Sequence, residues 1–152
     1  MTTKARRIIA GLASLHAFTV LAAAQPADTD PLAPIGQCNL HPGYTNVTDG
    51  DKHLAELVMK LQASAAYRDM LILITWDENG GHWDHVPPPR RDRWGPGTRI
   101  PLIAVGPTVK RGYIDHTPYD FGSILRTIEL RFGLDPLEDP DRNAYPMRNF
   151  LR

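Results

Sequence analysis

The sequence is short of several things, and each shortage closes off a class of protein. It has one cysteine, Cys38, in 152 residues, so no internal disulfide can form and no disulfide framework holds the fold. Charge of either sign is not in excess: 17 Lys and Arg balance 17 Asp and Glu. A nucleic-acid surface would show as a basic excess, and none is evident. No internal repeat recurs along the chain. The long apolar run from Ile8 to Ala24 is broken by Ser14, His16 and Thr19 and is a little short for a comfortable membrane span. What these limits leave is a chain of the length of one ordinary domain.

Proline, by contrast, is plentiful, with 14 residues placed mostly in loops and towards the C-terminus. The N-terminus starts basic, with Lys4, Arg6 and Arg7, then turns apolar and exits through Ala22-Ala23-Ala24 before Gln25. That three-part pattern predicts a secretory signal peptide over residues 1–24 and hence a periplasmic or secreted protein. Residues 25–40 carry little pattern and read as a linker or irregular entry segment.

The first helix is announced by Leu54, Leu57, Val58 and Leu61, which share one face at i, i+3, i+4 and i+7. Thr48 or Asp49 can cap it, and the helix should run to about Ala65. "MLILITW", Met70 to Trp76, is apolar on both alternating faces and rich in β-branched residues, the pattern of a central strand covered on both sides. Ile100 to Pro107 reads as a second strand, with Pro101 at its start because it lacks an N–H. A second amphipathic helix follows from Phe121, Ile124, Leu125, Ile128 and Phe132, started by Thr117-Pro118 and stopped by Gly133. Residues 135–152 contain Pro136, Pro140 and Pro146 and read as an irregular tail. The alternation of helix, strand, long loop, strand, loop and helix is α/β.

In such sheets, ligands sit beyond the carboxyl ends of the strands. There the sequence places Asp77 and Glu78, then Gly80, Gly81, His82, Trp83, Asp84 and His85. Adjacent carboxylates repel, and a hard divalent cation between them would remove that penalty. The same residues are also ordinary turn chemistry, and spacing alone leaves both readings open. The acidic positions do not alternate as an EF-hand requires. His82 and His85, without a cysteine or a third clear ligand, make a weak zinc pattern. His85 can be held by Asp84 or can face a substrate oxygen, while His41 and His116 each stand in a turn-rich loop.

Four segments taken together carry a resemblance: H-P-G-Y at His41–Tyr44, D-E-x-G-G-x-x-D-H-V from Asp77, R-x-P-x-I from Arg99, and D-H-T-x-Y-D from Asp115. From His41 to Leu134 the chain resembles the C-terminal part of the bacterial phosphoesterase family of acid phosphatases and phospholipases C, within the alkaline-phosphatase-like superfamily. The resemblance implies an α/β sandwich around a mainly parallel sheet flanked by helices, incomplete in this chain. It implies hydrolysis of a phosphate-ester substrate with a divalent metal ion held by Asp77 and Glu78. It places His41 near the phosphate and His85 and His116 in matching motifs as catalytic candidates. Contact with a membrane is implied only through a lipid substrate. Family members are longer, and their N-terminal half carries a Glu-Asn metal-binding pair and a Ser or Thr nucleophile. Here Glu78-Asn79 is the only Glu-Asn pair, and Ser64 and Ser123 fall in predicted helices. The chain therefore reads as a truncated member. The alternative expectation is an inactive remnant, or a binding module whose partner supplies the missing N-terminal half.

Overall fold

A computed structural model describes Thr19–Ala22 and residues 46–79, 84–91, 93 and 95–152. The predicted helix, two strands and second helix are present, and a short strand at Thr19–Ala22 and a short helix in the tail are added to them. Strand β1 is Thr19–Ala22, helix α1 is Val47–Gln62, and a 3₁₀ turn covers Ala65–Asp69. Strands β2 (Ile72–Thr75) and β3 (Leu102–Val105) are followed by helices α2 (Phe121–Phe132) and α3 (Asp139–Asn143). The sheet order is β1-β2-β3, which makes β2 the central strand. β1 runs parallel to β2, with Thr19 opposite Ile72 and Ala22 opposite Thr75. A separate antiparallel bridge joins Val109 to Leu151, so the pairing is not uniformly parallel. Thr19–Ala22 falls within the segment read as a signal peptide, the rest of which lies outside the described residues, as does the linker at 25–40.

The described residues form two compact units, one holding β1, residues 46–67, β2 and the loop after it up to 103, the other holding 68–71 and 104–152. In the first, Ile72, Leu73 and Ile74 are buried on both faces of β2, as an unbroken apolar run requires. α1 is capped two or three residues earlier than expected. Asn46 is extended, and its Oδ1 accepts the Asp49 N–H at 2.8 Å, so Asn46 and not Thr48 or Asp49 caps the helix. The helix ends at Gln62, which leaves Ser64 just beyond it instead of on it. The stripe of Leu54, Leu57, Val58 and Leu61 is half-buried.

In the second unit the core is Leu71, Val109, Ile124, Met147 and Phe150. Gly106 follows the last residue of β3, and a Cβ there would stand 2.6 Å from the Met70 carbonyl oxygen, so only glycine allows this approach. α2 starts at Phe121, three residues later than Thr117-Pro118 predicts, because Asp120 is its cap. Asp120 and Ser123 form a reciprocal capping box. Gly133, at φ 68°, ends the helix where expected. The buried arc of α2 is not the predicted apolar stripe. Ser123, Ile124 and Thr127 are buried, whereas Phe121, Leu125 and Phe132 are exposed.

The reason is the tail. Thr127 Oγ1 donates to Ser123 O at 2.7 Å and accepts the Met147 N–H at 2.8 Å, so a buried hydroxyl ties the tail to the helix. Residues 135–152 are thus not merely irregular. They include α3, whose Asp141 carboxylate accepts the N–H groups of Leu137 and Glu138, and they supply Met147 and Phe150 to the core.

Candidate functional site

Asp77 and Glu78 leave β2 two and three residues after its last residue, Thr75, and both are exposed. The loop that carries them is pinned at its base by three contacts. Thr75 Oγ1 donates to Pro101 O at 2.9 Å, Asn79 Nδ2 to Thr98 Oγ1 at 2.8 Å, and Arg99 to the Asp84 carboxylate. The Arg99 fork is two-pronged: Nε reaches Asp84 Oδ2 at 2.9 Å and an Nη reaches Oδ1 at 3.3 Å. Asp84 Oδ1 also accepts the Val86 N–H at 2.7 Å. The Val86 N–H first, and the Arg99 guanidinium second, hold the Asp84 carboxyl below the ordinary aspartate range.

The acidic pair is therefore presented on a closed loop. Asp77 Oδ1 accepts the backbone N–H of the next residue, Glu78, at 3.1 Å. Their oxygens are the donor type that a hard divalent cation takes. Such a cation takes about six or more oxygens, and the pair supplies only part of that shell. Among the described residues no group of three or more His, Cys, Asp or Glu completes it. Donor chemistry fits the cation; the remainder of the shell does not come from these residues.

His85 lies on the same loop, with its side chain 90% exposed and Nδ1 3.8 Å from Asp84 Oδ1. At that distance the two side chains make no hydrogen bond, and the Asp84 oxygens accept from Arg99 and Val86 instead. Arg99 belongs to the R-x-P-x-I motif, and its pairing with Asp84, fifteen residues away, is invisible to local spacing. His41, His82 and the glycines at 80 and 81 lie outside the described residues.

His116 belongs to the other unit and is exposed. Its neighbours are held hard. Asp115 Oδ1 accepts both the Thr117 N–H (3.0 Å) and Thr117 Oγ1 (2.7 Å), and Asp115 Oδ2 accepts the Tyr119 hydroxyl at 2.9 Å. Asn149 Nδ2 then donates to Thr117 Oγ1 at 2.7 Å, linking this loop to the tail. Burial alone would raise the Asp115 carboxyl, but the bonds from Thr117 and Tyr119 outweigh it and hold the group below its ordinary value. Burial and the adjacent carboxylate together push Tyr119 up to about 12. Thr117 is spent on this turn, which is why it does not start α2.

Comparison with known proteins places these motifs in context. A model described as "Phosphoesterase family" matches residues 31–135. The chain is 28% identical over 118 residues to Non-specific phospholipase C1 of Arabidopsis thaliana, covering 62% of this chain and 22% of that protein. It is 30% identical over 118 residues to Non-specific phospholipase C6 of the same plant, with the same coverage of 62% and 22%. With Non-hemolytic phospholipase C of Pseudomonas aeruginosa it shares 26% identity over 137 residues, 68% of this chain and 20% of that protein. The chain thus spans about a fifth of the length of these relatives.

Proposed function

Because this chain belongs to the phosphoesterase family, we propose that it hydrolyses phosphate-ester bonds, as an acid phosphatase or a phospholipase C-like enzyme. The observation that carries the proposal is the position of Asp77 and Glu78. They are exposed, they follow the carboxyl end of the central strand, and they sit on a loop that Thr75–Pro101, Asn79–Thr98 and Arg99–Asp84 hold shut. In this reading the fold is the alkaline-phosphatase-like sandwich, and β2 is one of its strands.

Asp77 and Glu78 would hold one side of a divalent metal ion. When bound, such an ion supplies positive charge against phosphoryl oxygens. The rest falls to the protein. Arg99 and the Val86 N–H keep Asp84 ionised, which leaves a negative charge 3.8 Å from the His85 ring. His41, His85 and His116 are the candidates to give a proton to the leaving oxygen or a hydrogen bond to phosphate. The specificity between phosphomonoester and phospholipid belongs to this proposal as the choice of ester, with the named relatives favouring the lipid.

Export is part of the same reading. Removal of residues 1–24 would take β1 away and open that edge of β2 to another strand. A second reading, an inactive remnant or a module completed by a partner that supplies the N-terminal half, is favoured by the exposed apolar side chains Phe121, Leu125 and Phe132 on α2. Titration calorimetry with Mn²⁺ on the wild type and on Asp77→Ala tests the metal role. The proposal expects weaker binding by the variant, and equal affinities would sink it.

A further inference from the structure

We propose that the turn Lys110–Ile114 docks the protein on an anionic lipid surface. The kind of surface rests on the phospholipase C-like reading; the place rests on the turn itself. Its five residues are consecutive and all exposed. At the tip, Ile114 is 74% exposed and Tyr113 47%, an aliphatic side chain beside an aromatic one that carries a polar handle. That pair suits the boundary between acyl chains and head groups, where the apolar body enters and the phenol stays wet. Lys110 and Arg111 precede it, and no carboxylate stands among the five residues. The next acid along the chain, Asp115, accepts from Thr117 and Tyr119 and lies close enough to Lys110 to feel its charge. Lys110 and Arg111 are the only charged residues of the turn itself, and their sign matches anionic head groups.

The turn is also built to keep its tip out. Gly112, at φ 61°, takes the left-handed conformation that reverses the chain. One stem is clamped by Lys110 N–H to Phe150 O at 2.8 Å, by Arg152 N–H to Thr108 O at 2.8 Å and by the Val109–Leu151 bridge. The other stem is locked by Asp115. Lys110 Nζ donates to Asn149 O at 2.6 Å and stands 4.7 Å from the Tyr113 ring centroid, which fixes the ring beside the cation. The contact offered is two apolar tips and two cations. A specific protein interface buries about 800 Å² on each side, whereas a lipid surface accepts a small insertion of this kind. His116 follows the tip by two residues, so docking would bring the lipid surface to a candidate catalytic residue.

Vesicle flotation of the purified full chain tests this. The probes are phosphatidylcholine vesicles with and without phosphatidylserine, and the variants are Ile114→Ser and Arg111→Glu. The wild type is expected to float with the anionic vesicles and much less with the neutral ones. Ile114→Ser should lower the partition coefficient about tenfold, and Arg111→Glu by about fivefold or more, with the wild-type binding weakening as salt rises. A wild type that stays unbound overturns the proposal in favour of a protein partner. Equal binding to neutral vesicles, or binding that neither variant weakens, overturns it as well. Turnover of a water-soluble phosphate ester, measured beside flotation, separates the two claims: its absence speaks against the enzymatic reading, and its persistence in both variants leaves the docking result to stand by itself.

Discussion

Removing the Asp115 carboxylate tests how the D-H-T-x-Y-D motif works. In Asp115→Ala three donors lose their acceptor: the Thr117 N–H, the Thr117 hydroxyl and the Tyr119 hydroxyl. Hydrogen bonds to charged groups contribute about 1.5–3 kcal/mol each when fully protected. Asp115 is half-buried, so the freed donors partly recover water, and a total near 3 kcal/mol is the reasonable expectation. For a chain of this length that is roughly 6–12 °C in Tm. Asp115→Asn keeps one oxygen for Thr117 and loses the charged acceptor of Tyr119, for about 1 kcal/mol. The pH dependence has two limbs. Asp115 has a lowered folded pKa, so its contribution is full above its unfolded value and disappears as pH falls through the folded one. Tyr119 has a raised pKa, so its contribution is full below its ordinary value of 10.0 and is lost as pH rises through about 12. The assay is thermal unfolding of each variant, with a spectrophotometric titration of the phenol in Asp115→Asn. There the Tyr119 pKa should fall, because the carboxylate is gone, yet stay above its ordinary value, because burial, the larger cause, remains. A Tm within about 2 °C of wild type for Asp115→Ala, or a phenol titration that does not move, would refute the reasoning.

Thr127→Val keeps the side chain's shape but leaves the buried Met147 N–H without its acceptor, which should cost about 1–3 kcal/mol in denaturant unfolding. Gly106→Ala drives a Cβ into the Met70 carbonyl, and denaturant unfolding should show a loss of about 1–3 kcal/mol. Arg99→Met should let the Asp84 carboxyl rise towards its ordinary value in an NMR titration while leaving it somewhat depressed, since the Val86 N–H is the larger cause.

Parts of this fold were legible in the sequence because they obey local rules. The apolar run around Ile72–Ile74 had to be a central strand, Pro101 had to precede β3, and Gly133 had to end α2. The acidic pair was legible for the same reason, as an abrupt change of polarity at a strand end. What was not legible depends on partners far along the chain. Asp84 meets Arg99 fifteen residues on, and Thr117 meets Asn149 across 32 residues. The periodicity of α2 points Phe121, Leu125 and Phe132 inward, but the tail covers the Ser123–Thr127 face instead, because Thr127 can satisfy a buried N–H there. No pattern in 135–152 foretold that, since Met147 and Phe150 reach the core from irregular backbone. The helix starts shifted because Asn46 and Asp120 outcompeted the expected caps with better-placed side-chain acceptors.

The central claim is that the carboxylates beyond β2 serve phosphate-ester hydrolysis with a divalent metal. The most direct measurement is turnover of a chromogenic phosphate ester by the purified chain, with added Mn²⁺, with a chelator, and in Asp77→Asn. Hydrolysis is expected that the chelator abolishes and that falls by at least about 100-fold in Asp77→Asn. Turnover that survives both treatments, or no turnover by the wild type at any metal concentration, would contradict it.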